Sequence, residues 1–273
     1  MNIKELISND SNSRNLDLTN FIKLNNFRGI HYSMLCNLDD HIESQIVQNE
    51  AYPVQLIDYF ISTFQSNCNG VVIDVGANIG SFSVPIAKKY SYMQFHCFEP
   101  NDTVFQKLKI NCALNNLEDN IICHKTLIHD AATEIAFYEQ TQQENMGLSS
   151  TIKNDDINNF VEKFIKPVKI DDLFLDTSKI KFLKIDTQGS ELNVLNSAKL
   201  VIKKNKPIIC FELEENYLKG SRELIFDQLI NFFEELGYTL FYMNSKLDKL
   251  KPKVTLSSAY SFNGDLIAIP FLV

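Results

Sequence analysis

From residue 71 onward, short apolar runs alternate with longer segments of helical period, and the first of these runs ends in a glycine turn. Val71-Val72-Ile73-Asp74 is β-branched and nearly continuous in apolar character, as a strand buried on both faces should be. A turn from Gly76 to Gly80 follows, and residues 81–90 then take up a helical pattern. Pro85 falls in the first turn of that helix, where a missing amide donor is tolerated. The same unit recurs along the chain. Strands are expected at 94–98, 121–128, 182–186, 207–213, 238–243 and 265–270, with helices at 104–114, 191–204 and 223–236. Such alternation predicts an α/β fold whose mostly parallel sheet is covered on both sides. No helix separates the last two strands, so one antiparallel strand is expected near the C-terminus. Residues 134–139 and 149–152 read as an inserted hairpin, residues 27–38 as a short hairpin and residues 1–20 as a loose leader. Residues 54–64 form a helix with Val54, Ile57, Ile61 and Phe64 on one face. The chain thus divides into an N-terminal extension, 1–48, and a main domain, 49–273.

The glycine turn is the main ligand signal. Small residues after a strand let a ligand approach backbone amides at a helix N-terminus. Asp74, at the strand end, is placed to meet a cationic or hydroxyl-bearing group. A dinucleotide fingerprint needs three glycines to fit a pyrophosphate, whereas only Gly76 and Gly80 are present here. Glu99 closes the second strand. An acidic residue about 20 positions beyond such a turn is where a ribose diol is gripped. Both nicotinamide and S-adenosylmethionine sites use that device, so these residues leave two cofactor classes open.

The formal net charge of -8 disfavours general binding to nucleic acid or anionic membranes. Lys203, Lys204 and Lys206 form a small basic patch that reads as cations complementing a helix C-terminus. The six cysteines show no C-x-x-C pair, and several lie in apolar strands, which points to a reducing, cytoplasmic setting. No apolar leader of a secretory signal is visible, and no run approaches the ~20 apolar residues of a membrane span.

The blocks VVIDVGANIGSFSVPIA, FHCFEPN, FLKIDTQGSELNVL and IICFELEE, in this order and spacing, resemble the FkbM family of methyltransferases. KPVKIDDLF (166–174) and GLSST (147–151) also resemble family blocks, and the likeness runs from residue 50 to 245. The resemblance implies a Rossmann-like class I methyltransferase sheet. It implies S-adenosylmethionine as methyl donor, S-adenosylhomocysteine as product, and O-methylation of a sugar, glycan or secondary-metabolite hydroxyl. Carried over by residue, Asp74, Gly76, Ala77, Asn78 and Gly80 would line the methionine part of the cofactor. Glu99 would hold the ribose, Pro100 and Asn101 would flank the adenine, and Leu127 would touch it. Glu50 matches an acidic position common in the family and is carried as a cofactor residue.

Methyl transfer from a sulfonium is an in-line displacement, so the protein mainly supplies alignment and proximity. A hydroxyl acceptor also benefits from a base. Asp186, at the end of the fourth strand, is the candidate base or sulfonium-facing carboxylate. Glu191 and Glu212 are expected to converge beside it, with Gln188 and Gly189 forming the turn. Three oxygen ligands would suit a divalent cation, but this chemistry needs no Lewis acid, and no metal is expected. The acceptor is expected to be a small molecule or glycan, bound by loops in the N-terminal region, residues 140–165 and residues 244–262. Two alternatives stay open: a nicotinamide-dependent oxidoreductase, which lacks the third glycine and a Tyr-x-x-x-Lys pair, and a non-catalytic binding module on the same fold.

Overall fold

The computed structural model describes residues 20–141, 147–153, 159–213, 222–243 and 264–271. In chain order the elements are β1 (Phe21–Phe27), β2 (Ile30–Cys36), α1 (His41–Asn49), α2 (Val54–Thr63), β3 (Gly70–Val75) and α3 (Ser83–Lys89). They continue with β4 (Met93–Phe98), α4 (Asp102–Leu114), β5 (Ile121–His124), β6 (Ile135–Gln140), β7 (Phe160–Ile165) and α5 (Ile170–Phe174). The last are β8 (Ile180–Ile185), α6 (Glu191–Ser197), α7 (Lys199–Asn205), β9 (Ile208–Leu213), α8 (Arg222–Glu235), β10 (Tyr238–Tyr242) and β11 (Gly264–Pro270).

Seven strands make the central sheet in the order β10-β11-β9-β8-β3-β4-β5. β5, β4, β3, β8 and β9 are parallel, and β11 runs antiparallel to both of its neighbours, as expected for the C-terminal end. The chain builds outward from β3 to β5 on one side and then from β8 to β11 and β10 on the other. The strand order therefore reverses between β3 and β8, and ligands of open α/β sheets bind at the carboxyl edge beside such a reversal.

The pleat divides the core in two. Val72, Phe182 and Cys210 point to the face covered by α2, α3 and α4. There Phe182 meets Phe60 edge-on at 5.1 Å and stacks on Phe82 at 5.8 Å. Ile73, Leu183 and Ile209 point to the face covered by α5 to α8, where Phe211 stacks on Phe233 at 5.3 Å. Burial on both faces is why these strands read as unbroken apolar runs.

Three expectations change in detail. The N-terminal hairpin is β1–β2, spanning 21–36, because Phe27 and Ile30 flank its turn instead of opening it. Its buried residues, Phe27, Ile30, Tyr32, Met34 and Cys36, join the same core as β3. Asn111 of α4 and Asn115, which caps its C-terminus, dock it by accepting the Leu35 and Ser33 amides at 2.7 and 2.9 Å. The inserted hairpin pairs β6 with β7, while residues 149–152 contribute one bridge, Tyr138 to Ser150. The expected helix 191–204 breaks at Ala198 into α6 and α7. Residues 1–19 of the leader expected at 1–20, and the loop 244–262, lie outside the described residues. Lys203, Lys204 and Lys206 do close α7, and Lys204 and Lys206 donate to the Leu175 and Leu236 carbonyls at 2.6 and 2.5 Å.

Candidate functional site

At the carboxyl edge of β5, β4, β3, β8 and β9 lies a crevice of about 250 Å³. The sheet order sets its chemistry from side to side. Leu127 follows β5, and Phe98, Glu99 and Pro100 end β4. Gly76 and Asn78 follow β3, Asp186, Thr187 and Gln188 follow β8, and Glu212 lies on β9. An apolar end thus grades through one buried carboxylate and a backbone turn into a polar end. Ser149, Ser150 and Thr151 close the polar end, and Thr151 and Ser190 hydrogen-bond each other through their hydroxyls.

The turn is built on the neighbouring strands. The Gly76 and Ala77 amides both donate to the Phe98 carbonyl at 3.0 Å, and the Asp186 amide donates to Val75. Gly76 has φ +73°, and a Cβ there would lie 1.8 Å from the Asp186 carbonyl oxygen. No other residue fits at that approach. Gly80 serves helix packing: its missing Cβ leaves room for Leu108 and Val84. Ala77 is buried in the core.

Glu99 is buried, with both oxygens toward backbone amides. One accepts the Asn78 N–H at 3.1 Å and the other the Asn101 N–H at 2.9 Å. Burial pushes its pKa up to about 7 against these bonds. Each oxygen keeps a further acceptor position. Asn101 lies apart from the crevice lining. Its side chain caps α4 by accepting from Thr103 and Val104, and its Nδ2 donates to Ser149 and the Gln140 carbonyl. It therefore positions Pro100 and ties the inserted segment to α4.

Asp74 sits beneath the turn with no exposure, outside the lining. It accepts from the Ser83 hydroxyl at 2.6 Å and stands 3.3 Å from the Lys184 ammonium. Lys184 also reaches the Gly76 carbonyl at 3.3 Å and Asp186 at 3.2 Å. This buried lysine pins the cradle of β3 to the carboxylate of β8. Burial works against its charge, but Asp186 and Asp74 raise its pKa.

Asp186 and Glu212 meet in the crevice, and Gln188 Nε2 donates to both, at 3.3 and 3.2 Å. They also share a side-chain hydrogen bond, which requires one proton between the two carboxyls. Burial opposes ionisation of Asp186, yet Lys184 and these hydrogen bonds hold its pKa below the usual carboxylate range. Glu191 does not join the pair. It is buried in the turn, accepting the Thr187 and Gly189 amides and the Thr187 hydroxyl at 3.0–3.2 Å. Burial raises its pKa to about 7. Glu50 also lies off the crevice, accepting the Asn26 amide and standing 3.9 Å from Lys23.

Sequence reading missed several residues of the crevice and its support, among them four of note. Lys184 is hidden in the strand run FLKI. Tyr52 and, from α1, His41 and Ile42 line the crevice. α1 is held there by a buried ion pair, Glu43 with Lys107 of α4 at 2.5 Å. Among the described residues no group of three or more side chains suited to a metal ion occurs, and no helix is long and apolar enough to cross a membrane.

Residues 74–240 match the methyltransferase FkbM domain. The chain belongs to the FkbM methyltransferases. Its sheet order with β11 antiparallel is accordingly a class I methyltransferase sheet, and the oxidoreductase alternative falls away. Among curated relatives of this FkbM-family chain, Methyltransferase 1 of Beauveria bassiana is 23% identical over 60% of this chain and 71% of its own. Methyltransferase sdnD of Sordaria araneosa is 26% identical over 56% of this chain and 68% of its own. A solved methyltransferase FkbM from Methylobacillus flagellatus shares 16% identity with a TM-score of 0.49, over 83% of this chain and 52% of that one, so the chain spans about half of that protein. The M. jannaschii TYW2, solved in complex with AdoMet, aligns over 93% of this chain and 86% of its own, at 18% identity and a TM-score of 0.47.

Proposed function

We propose that this methyltransferase uses S-adenosylmethionine to methylate a hydroxyl of a sugar, glycan or secondary metabolite. The observation that carries the reading is the graded crevice, with Glu99 buried between an apolar slot and the polar Asp186 end. Those residues fit the cofactor's three parts. Leu127, Phe98 and Pro100 offer apolar surface for a planar base. Glu99 has acceptor positions left for a diol, and the Gly76–Asn78 backbone with Asp186 suits a zwitterionic tail. When bound, the sulfonium supplies an electrophilic methyl group.

The chain's own work is then orientation and proton handling. Glu99 and the turn fix the donor's position. Lys184 keeps Asp186 anionic, and Gln188 holds Asp186 against Glu212. Asp186, at the crevice wall, accepts the proton that the acceptor hydroxyl loses as the new C–O bond forms. Glu212, sharing a proton with Asp186, leaves the pair a single negative charge, which the incoming proton neutralises. Glu191 holds the 187–191 turn that sets this geometry.

Calorimetry with S-adenosylhomocysteine and, separately, with NAD tests the cofactor. Saturable binding of S-adenosylhomocysteine and none of NAD is expected. The reverse pattern would overturn the reading.

A further inference from the structure

Beside the crevice, and sharing Tyr52, Asp186 and Glu212 with it, lies a side cavity of about 40 Å³. Lys184, Cys210 and Asp265 complete its polar and sulfur-bearing wall, with Pro53 and Leu56 opposite. Register explains the grouping. Glu212 on β9 faces Asp265 on β11, and Asp186 continues β8 beside them.

Two polar groups here are unspent. Among the described residues, neither the Tyr52 hydroxyl nor the Asp265 carboxylate makes a hydrogen bond, although both line the cavity. Asp265 and Tyr52 are both half-buried, and their polar ends open into the cavity. Burial, with Asp186 nearby, raises its pKa to about 6, so it is ionised at neutral pH. Tyr52 stays protonated, held up to about 12 by burial and by Asp186, Glu212 and Asp265. Three carboxyls, those of Asp186, Glu212 and Asp265, thus line the cavity with a single ammonium, that of Lys184. Lys184 is already committed to Asp74, Asp186 and the Gly76 carbonyl. A half-buried carboxylate without a hydrogen-bond partner is well matched by a cation that carries its own donors. The cavity has room for one compact group beside the reaction centre.

We propose that this side cavity is an acceptor subsite that takes an ammonium group, with Asp265 and Tyr52 as its specificity-determining residues. The acceptor is then an amine-bearing hydroxyl compound, such as an amino sugar, and carries no carboxylate or phosphate at that end. This rests on the methyltransferase reading above. Asp265 accepts the ammonium N–H, the Tyr52 oxygen accepts another, and the adjacent hydroxyl of the acceptor is left near Asp186.

The test uses the full chain saturated with S-adenosylhomocysteine, titrated with D-glucosamine, D-glucose and D-glucuronate, and with ethanolamine against ethylene glycol, by calorimetry and thermal shift. Each amine is expected to bind about tenfold or more tightly than its neutral counterpart, with glucuronate weakest. Asp265→Asn, which keeps the shape, should abolish the amine preference while leaving S-adenosylhomocysteine affinity unchanged. Tyr52→Phe should weaken the preference. Equal binding of amine and neutral partner, no binding of either amine up to millimolar concentration, or a preference that survives Asp265→Asn would each overturn the proposal. Loss of S-adenosylhomocysteine binding by the wild-type chain would instead overturn the cofactor reading. The same amine titrations on the free protein would still report on the cavity.

Discussion

Glu99 shows how much one side chain's surroundings decide. Its Oε atoms are held by the Asn78 and Asn101 amides, so Glu99→Ala removes an anchor of the turn and, on the proposed reading, the acceptor of the ribose diol. S-adenosylhomocysteine affinity should fall by about 1.5–3 kcal/mol, the scale of hydrogen bonds to a charged group. Unchanged affinity by calorimetry would refute the ribose assignment. Burial keeps Glu99 protonated up to about pH 7, against an ordinary value of 4.5. Between those values the folded chain holds a proton that the unfolded chain has lost, and a ligand needing the carboxylate must release it. Affinity should therefore drop as pH falls below about 7, approaching tenfold per pH unit, and be level above. Glu99→Gln should flatten that profile. For Asp186→Asn the expected loss is in turnover, on the order of 10²–10⁴-fold, with cofactor affinity changed far less. A variant whose affinity falls but whose saturated turnover survives would make Asp186 a cofactor residue. Normal values for both would make it structural. Glu99, Asp186 and Glu212 were legible because each ends an apolar strand. Lys184 was not, because a lysine between apolar residues reads the same whether it meets solvent or a buried carboxylate. Glu191 was legible as a helix-start carboxylate, but its inward turn toward the 187–189 backbone depends on loop geometry.

Among the elements, α1 is the least expected contributor. It presents His41 and Ile42 to the crevice because Glu43 enters the core and meets Lys107. Burial pushes the Glu43 pKa up to about 7 even so, and the Asn37 amide donates to its second oxygen. Lys107→Met leaves that carboxyl buried without its cation, so stability should fall by about 3 kcal/mol in denaturant unfolding. The double variant with Glu43→Gln should recover part of the loss, and an unchanged midpoint for Lys107→Met would show that the pair is idle. Periodicity located most strands and helices of the sheet to within a residue or two, since burial on both faces leaves a clear apolar run, but the strand expected at 121–128 ends at His124. It misassigned the partner of β6. Ser149–Ile152 is short and near enough to suit a tight hairpin, whereas the true partner, Phe160–Ile165, alternates weakly and has exposed Val161 and Phe164. The break at Ala198 was hidden because a helical pattern persists across it.

At the scale of the whole molecule, the crevice joins strand ends from both halves of the sheet, and its two carboxylates already have donors. Lys184 donates to Asp186 and the Gln188 amide to both Asp186 and Glu212, so oxygen positions that a divalent cation would need are already taken by donors. Methyl transfer should therefore persist in EDTA. Activity abolished by the chelator and restored by magnesium or manganese would make this pair a metal site.

The placement of β11 has a consequence for how the chain is made. β10 is synthesised first, yet β11 lies between it and β9, and β10 touches the sheet only through β11. Until residues 264–270 emerge, β9 remains an open edge, with Ile209 and Phe211 on one of its faces and nothing to receive β10. Such an edge invites pairing with another chain. The newborn molecule therefore passes through a vulnerable interval in which the crevice wall is already assembled and one flank is still unsealed.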